Sequence, residues 1–163
     1  MPDHPVSAIC AAVTAQRQQL LQFIQSLVQV PSLPGAERPA HAMVAATLTM
    51  MGLDVDVVTI DFNAIKHHPA FCDDGIPFDN RINIVGRWRG SGAPVVPKSA
   101  ATGSLILNGH LDVVSPGDES RWDGSPWGGT FRNGRIYGRG ACDMKSGVAA
   151  AIFAVAALRS MGV

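Results

Sequence analysis

At 163 residues, 47% of them hydrophobic, the sequence is long enough and apolar enough for one domain with a sizeable core, which excludes an intrinsically disordered chain. Thirteen basic and thirteen acidic side chains cancel, and no basic patch with interleaved aromatics stands out, so no nucleic-acid partner is expected. No membrane partner is expected either: Met1-Pro2-Asp3-His4-Pro5 lacks the basic and apolar regions of a secretory signal, and the longest strictly apolar run, Val148 to Leu158, is too short to span a bilayer. Cys10, Cys72 and Cys142 are odd in number and unclustered, which points to reduced thiols and a cytoplasmic protein.

The first predicted element is a helix from a Ser7 cap to about Val30. Ile9, Val13, Leu20, Ile24, Leu27 and Val28 form its apolar stripe, and Pro31 ends it. Pro31-Ser32-Leu33-Pro34-Gly35 reads as a linking loop. A second helix is predicted from about Arg38 to Met51, with Gly52 closing it and His41 as an ordinary surface or core side chain. Leu53 to Ile60 alternates as a half-buried strand. Asp61 to Asn80 is broken by Pro69, Gly75 and Pro77. Its His67-His68 and Asp73-Asp74 pairs do not converge in spacing, so a mobile surface loop is expected there rather than a metal site. Ile82 to Trp88 is a further strand, and Gly90 to Gly103 a loose connection.

Leu105-Ile106-Leu107 is a short apolar run before Asn108-Gly109, as expected of a buried strand that ends at a site. In extended backbone, side chains alternate with period two, so His110 and Asp112 point the same way. Neutral imidazole is a good zinc ligand, and the carboxylate beside it can ligate, orient or handle a proton. The plainer alternative is a core histidine and a turn-capping aspartate. Ser115-Pro116-Gly117-Asp118 is turn chemistry, and Trp122 to Trp127 is a rigid aromatic loop, with Trp127 expected to pack over the sheet edge. Asn133-Gly134, between Thr130-Phe131-Arg132 and Arg135-Ile136-Tyr137, signals a type I′ hairpin. The hairpin leads into Gly138-Arg139-Gly140-Ala141-Cys142-Asp143, where two glycines permit tight turns. Asp143 precedes the last helix, Lys145 to about Met161, which is apolar nearly all round and expected to be buried. Asp143 reads either as that helix's N-cap or as a carboxylate bridging two metal ions. A phosphate loop is disfavoured because Met144 stands where a glycine is needed before Lys145. A nucleophilic or zinc-binding Cys142 lacks a second thiol at C-x-x-C spacing.

His110-Leu111-Asp112-Val113-Val114, Trp122-Asp123-Gly124-Ser125-Pro126-Trp127, Gly134 to Gly140 and Asp143-Met144-Lys145-Ser146-Gly147 together resemble the M20 metallopeptidase and deacylase family, in order and in spacing. The resemblance implies that His110 ligates one metal, that Asp143 bridges two, and that Asp112 is the catalytic-site aspartate orienting His110. It also implies a cis peptide after Asp143. The implied cofactor is a pair of zinc ions, with cobalt as a substitute. The implied fold is α/β: a three-layer α/β/α arrangement with a mixed or largely parallel sheet flanked by helices. The family's general-base glutamate, its later metal ligands and its dimerisation domain lie beyond the bridging aspartate and have no counterpart before Val163. Residues 1–163 are therefore expected to be the N-terminal portion of a catalytic domain whose complete form is a homodimer, the chain itself being inactive. The implied activity is hydrolysis of the amide bond of an N-acyl amino acid. The alternatives are a metallo-exopeptidase acting on dipeptides or short peptides, and a non-catalytic fragment lacking the general base.

Overall fold

The computed structural model describes residues 6–79, 81–89 and 104–162. Where one long first helix is predicted, two form: α1 (Val6–Ala15) and α2 (Arg17–Gln29), separated at Gln16. Gln16 leaves helical geometry at φ −97° and ψ 0°. Its amide bonds to the Val13 carbonyl at 3.2 Å, a one-turn tightening, and its carbonyl then accepts from Leu20. The break lets α2 turn its own stripe, Ile24, Leu27 and Val28, inward while α1 buries no residue. Pro31 has no N–H with which to continue the helix.

Helix α3 (Arg38–Met50) carries Pro39 in its first turn and buries Ala40, Val44 and Leu48, spaced four apart on one face. With Leu27, Leu111 and Ile152 these form the main core cluster. Full burial of side chains such as Leu27 and Leu48 stabilises the fold by roughly 1.5–3 kcal/mol each. Strands β1 (Asp54–Thr59) and β2 (Ile82–Arg87) pair antiparallel, from Asp54 opposite Arg87 to Thr59 opposite Ile82. Leu53, Val55 and Ile84 pack from this ribbon onto α3's cluster, while Arg87 reaches Asp56 at 2.5 Å on the outer face.

Between these strands, the expected loop contains a turn of helix, α4 (Phe62–Ile65), capped by the Asp61 carboxylate. Phe62, Phe71 and Phe78 stack around it with ring centroids 5.2–5.9 Å apart. The Arg81 guanidinium lies 4.8 Å from the Phe78 ring and meets Asp74 at 2.5 Å. Asp73 and Asp74 accept the Gly75 and Ile76 amides, so these carboxylates form turns. The Arg81 contact, first, and the Ile76 amide hold the Asp74 carboxyl below its usual 3.8. Asp74 is therefore expected to titrate below 3.8 by carbon-detected NMR and to move up towards that value in Arg81→Ala. The contact is lost as pH falls through the depressed folded value.

The remaining strands, β3 (Thr130–Arg132) and β4 (Arg135–Tyr137), form the expected hairpin, and Asn133 and Gly134 both take positive φ (52° and 74°), as a type I′ turn requires. Gln25 and Gln29 of α2 donate side-chain amides to the carbonyls of Gly129 and Gly128, tying the preceding loop to that helix. The last helix, α5 (Ser146–Ser160), buries Ala149, Ile152 and Ala157. It packs against α1 and α2, and Ile152 reaches the α3 cluster, but Leu158 stays exposed, so the expected all-round burial does not occur. Ala141–Ser160 has the length and apolarity of a membrane span, yet its regular α-helix begins at Ser146. Those fifteen residues are about 22 Å long, short of a hydrocarbon core of about 30 Å.

The described residues thus form a mixed α/β structure with two separate two-stranded antiparallel sheets, and no parallel pair occurs among them. The expected three-layer arrangement with a mixed or largely parallel sheet is not seen among the described residues. Leu105 and Ile106, predicted to be buried, are 82% and 85% exposed, and no strand among the described residues pairs with them. An apolar run is buried only where a neighbour covers it. The connection predicted at Gly90 to Gly103 lies outside the described residues.

Candidate metal centre

The alternation predicted around Asp112 is present without a sheet. Leu111 and Val113 are buried, at 5% and 3% exposure, while the side chains of His110 and Asp112 are half exposed. Leu111 joins the main core cluster, which turns its neighbours outward. The backbone is pinned by Ser32: its hydroxyl donates to the Leu111 carbonyl at 2.6 Å, and its carbonyl accepts the Val113 amide at 2.9 Å.

The hairpin delivers the second half of the site. The Arg139 amide bonds to the Pro126 carbonyl at 2.7 Å, and its guanidinium lies 5.1 Å from the Trp122 ring. Gly140 then takes φ +78°, and a Cβ there would meet Val113 Cγ1 at 2.3 Å. Only glycine brings this loop so close to the segment carrying Asp112. The chain next makes a wide turn, Ala141–Lys145, containing the cis peptide Asp143-Met144 implied by the resemblance. The Lys145 amide returns to the Gly140 carbonyl at 3.0 Å, and the Ser146 hydroxyl donates to the Ala141 carbonyl.

These two segments meet at His110. Its Nε2 lies 3.1 Å from Asp143 Oδ1, and its Nδ1 lies 3.1 Å from both Asp112 Oδ1 and the Asp112 carbonyl. Asp143 makes no N-cap hydrogen bond, so the capping alternative fails. All three residues line one cleft of about 190 Å³, together with Val113, Val114, Arg139 and Cys142. His41 lies elsewhere, its ring bonded to the Glu37 carbonyl on α3. Asp118 serves the turn, accepting the Ser120 hydroxyl and amide, which hold its carboxyl below the usual range.

The donor chemistry suits zinc. With a proton on Nδ1 directed to Asp112, the Nε2 lone pair faces the Asp143 carboxylate. Two electron-pair donors 3.1 Å apart need a proton or a cation between them. Imidazole nitrogen and carboxylate oxygen at that separation can both reach one zinc at about 2.0–2.2 Å. The number of donors falls short of a shell: among the described residues no group of three or more His, Cys, Asp or Glu side chains is placed to hold a metal.

Two residues that sequence reading passed over complete the arrangement. From the sequence, Ser32 is a loop position and Lys145 a helix start. Lys145 is fully buried and donates Nζ to the carbonyls of Leu27 (2.8 Å) and Val30 (2.7 Å). Burial lowers its ammonium to about 8, so it remains a charged donor at neutral pH. A lysine at the head of an otherwise apolar helix was the available signal.

The model of peptidase family M20/M25/M40 matches residues 106–163. A succinyl-diaminopimelate desuccinylase of Methylobacterium nodulans is 34% identical over 137 residues, covering 84% of this chain and 29% of that protein. A succinyl-diaminopimelate desuccinylase of Coxiella burnetii is 39% identical over 101 residues, covering 62% of this chain and 24% of that protein. The chain thus spans 24–29% of the length of these relatives. Residues 106–163, the segment that carries His110, Asp112 and Asp143, belong to peptidase family M20/M25/M40.

Proposed function

We propose that this chain carries part of the zinc centre of an amidohydrolase that cleaves the acyl–amide bond of an N-acyl amino acid, the succinyl-type substrate of its relatives included. The observation that carries this is the facing of His110 Nε2 and Asp143 Oδ1 at 3.1 Å in an open cleft. His110 and Asp143 would hold the metal, with Asp143 shared between two ions. When bound, zinc supplies Lewis acidity and an activated water. Asp112 accepts the Nδ1 proton of His110, which fixes the tautomer and presents Nε2 as a donor. Asp143 contributes its negative charge on the opposite side of that ring nitrogen. The remaining donors and the proton-transferring carboxylate would come from elsewhere in a longer protein, which would be a cytoplasmic homodimer. In that protein, Leu105–Leu107 would take a central place in a three-layer α/β/α domain. Their exposed side chains support that reading.

A second reading, that these 163 residues alone are non-catalytic, is favoured by the two-donor count. Both are tested by titrating zinc and cobalt into the 163-residue chain and into a full-length form, then assaying N-succinyl and N-acetyl amino acids against dipeptides. Acyl-substrate hydrolysis only by the metal-loaded full-length form is expected. Preferential dipeptide cleavage would move the reading to an exopeptidase, and no metal uptake by either form would remove it.

A further inference from the structure

Both halves of the cleft are tied to one short stretch, the C-terminal end of α2 and the two residues after Val30. Ser32 is 0% exposed and bonds to the backbone on both sides of Asp112, at the Leu111 carbonyl and the Val113 amide. Lys145, also 0% exposed, lies two residues beyond Asp143 and donates to Leu27 and Val30. Carbonyls at the end of a helix lie at the negative end of its dipole, where an ammonium is favoured, and that of Leu27 also accepts the Val30 amide at 3.2 Å. The Ser32–Leu111 and Lys145–Leu27 bonds are buried, so removing either donor leaves a buried carbonyl short of a partner and favours a backbone shift. A shift at Leu27–Ser32 would move the two metal-facing segments relative to each other.

We propose that Ser32 and Lys145 are positioning residues, and that through them the end of α2 sets the spacing between His110–Asp112 and Asp143. The functional meaning of that spacing rests on the zinc-centre reading above, but the spacing itself can be tested without metal. The test uses the whole protein, metal-free, with Ser32→Ala, Lys145→Met and, as a destabilising control on the far part of α5, Ala157→Gly. The readout is the ring ¹H–¹⁵N signals of His110, whose two nitrogens face Asp112 and Asp143. Ser32→Ala and Lys145→Met are expected to shift these signals, and Ala157→Gly to leave them in place. Zinc affinity in the same two variants is expected to fall by roughly 10- to 100-fold, the range for losing a partner outside the ligand set. Ring signals coincident with wild type in Ser32→Ala would overturn the proposal, as would an equal shift in Ala157→Gly. If Lys145→Met does not fold, Ser32→Ala decides. A wild-type protein that takes up no zinc would sink the hydrolase reading, while the ring signals would still decide this one.

Discussion

His110→Ala is expected to reduce zinc affinity by more than the roughly 100-fold that loss of an outer partner can cost. Among the described residues, its imidazole is the only ring lining the cleft, and it faces both carboxylates at 3.1 Å. Removing it takes away the nitrogen donor and leaves Asp112 with nothing to orient. Asp112→Ala should fall short of that loss, within roughly 10- to 100-fold, because Asp112 acts through the ring. Neither change should alter the unfolding free energy by more than about 0.5 kcal/mol, since both side chains are half exposed. Isothermal titration with zinc separates the two. Equal losses in both variants would show that Asp112 does more than hold the ring.

A large effect on stability is expected at Gly140. Alanine there must adopt φ +78°, at a strain of roughly 1–3 kcal/mol, and its Cβ would stand 2.3 Å from Val113 Cγ1. Overpacking of that kind costs about 1–3 kcal/mol more. The resulting loss of roughly 2–6 kcal/mol should appear as a large drop in the urea midpoint. Because Val113 adjoins Asp112, the substitution should also weaken zinc binding. Gly134→Ala is the matched comparison: φ is +74°, but nothing lies within 4 Å of the added carbon. Its cost should be the conformational part alone, roughly 1–2 kcal/mol. Similar midpoints for the two variants would show that the contact with Val113 does not set the cost at Gly140.

Local signals were legible where local physics decides. Asn133-Gly134 dictated its hairpin, and Leu111 and Val113 turned inward because apolar alternation needs only a core on one side. The strands at Asp54–Thr59 and Ile82–Arg87 fell within a residue or two of their expected bounds, but their antiparallel partnership did not follow from either segment. The break at Gln16 was invisible because glutamine is a good helix former; what separates α1 from α2 is the direction in which α2 buries its stripe. Leu105–Leu107 shows the reverse error. Their composition says buried, but burial depends on a partner that the described residues do not supply. Ser32 and Lys145 escaped for a related reason. Their bonds span 79 and more than 100 residues, and no spacing rule reaches across such separations. His110, Asp112 and Asp143 were read from short motifs, and the structure adds the distances between them.

The most direct test of the metal-centre reading is an anomalous difference map at the zinc edge from crystals grown with zinc. A peak bonded to His110 Nε2 and an Asp143 carboxylate oxygen is expected, with Asp112 on the far side of the ring. Zinc bound away from both residues, or none bound in the cleft, would contradict it.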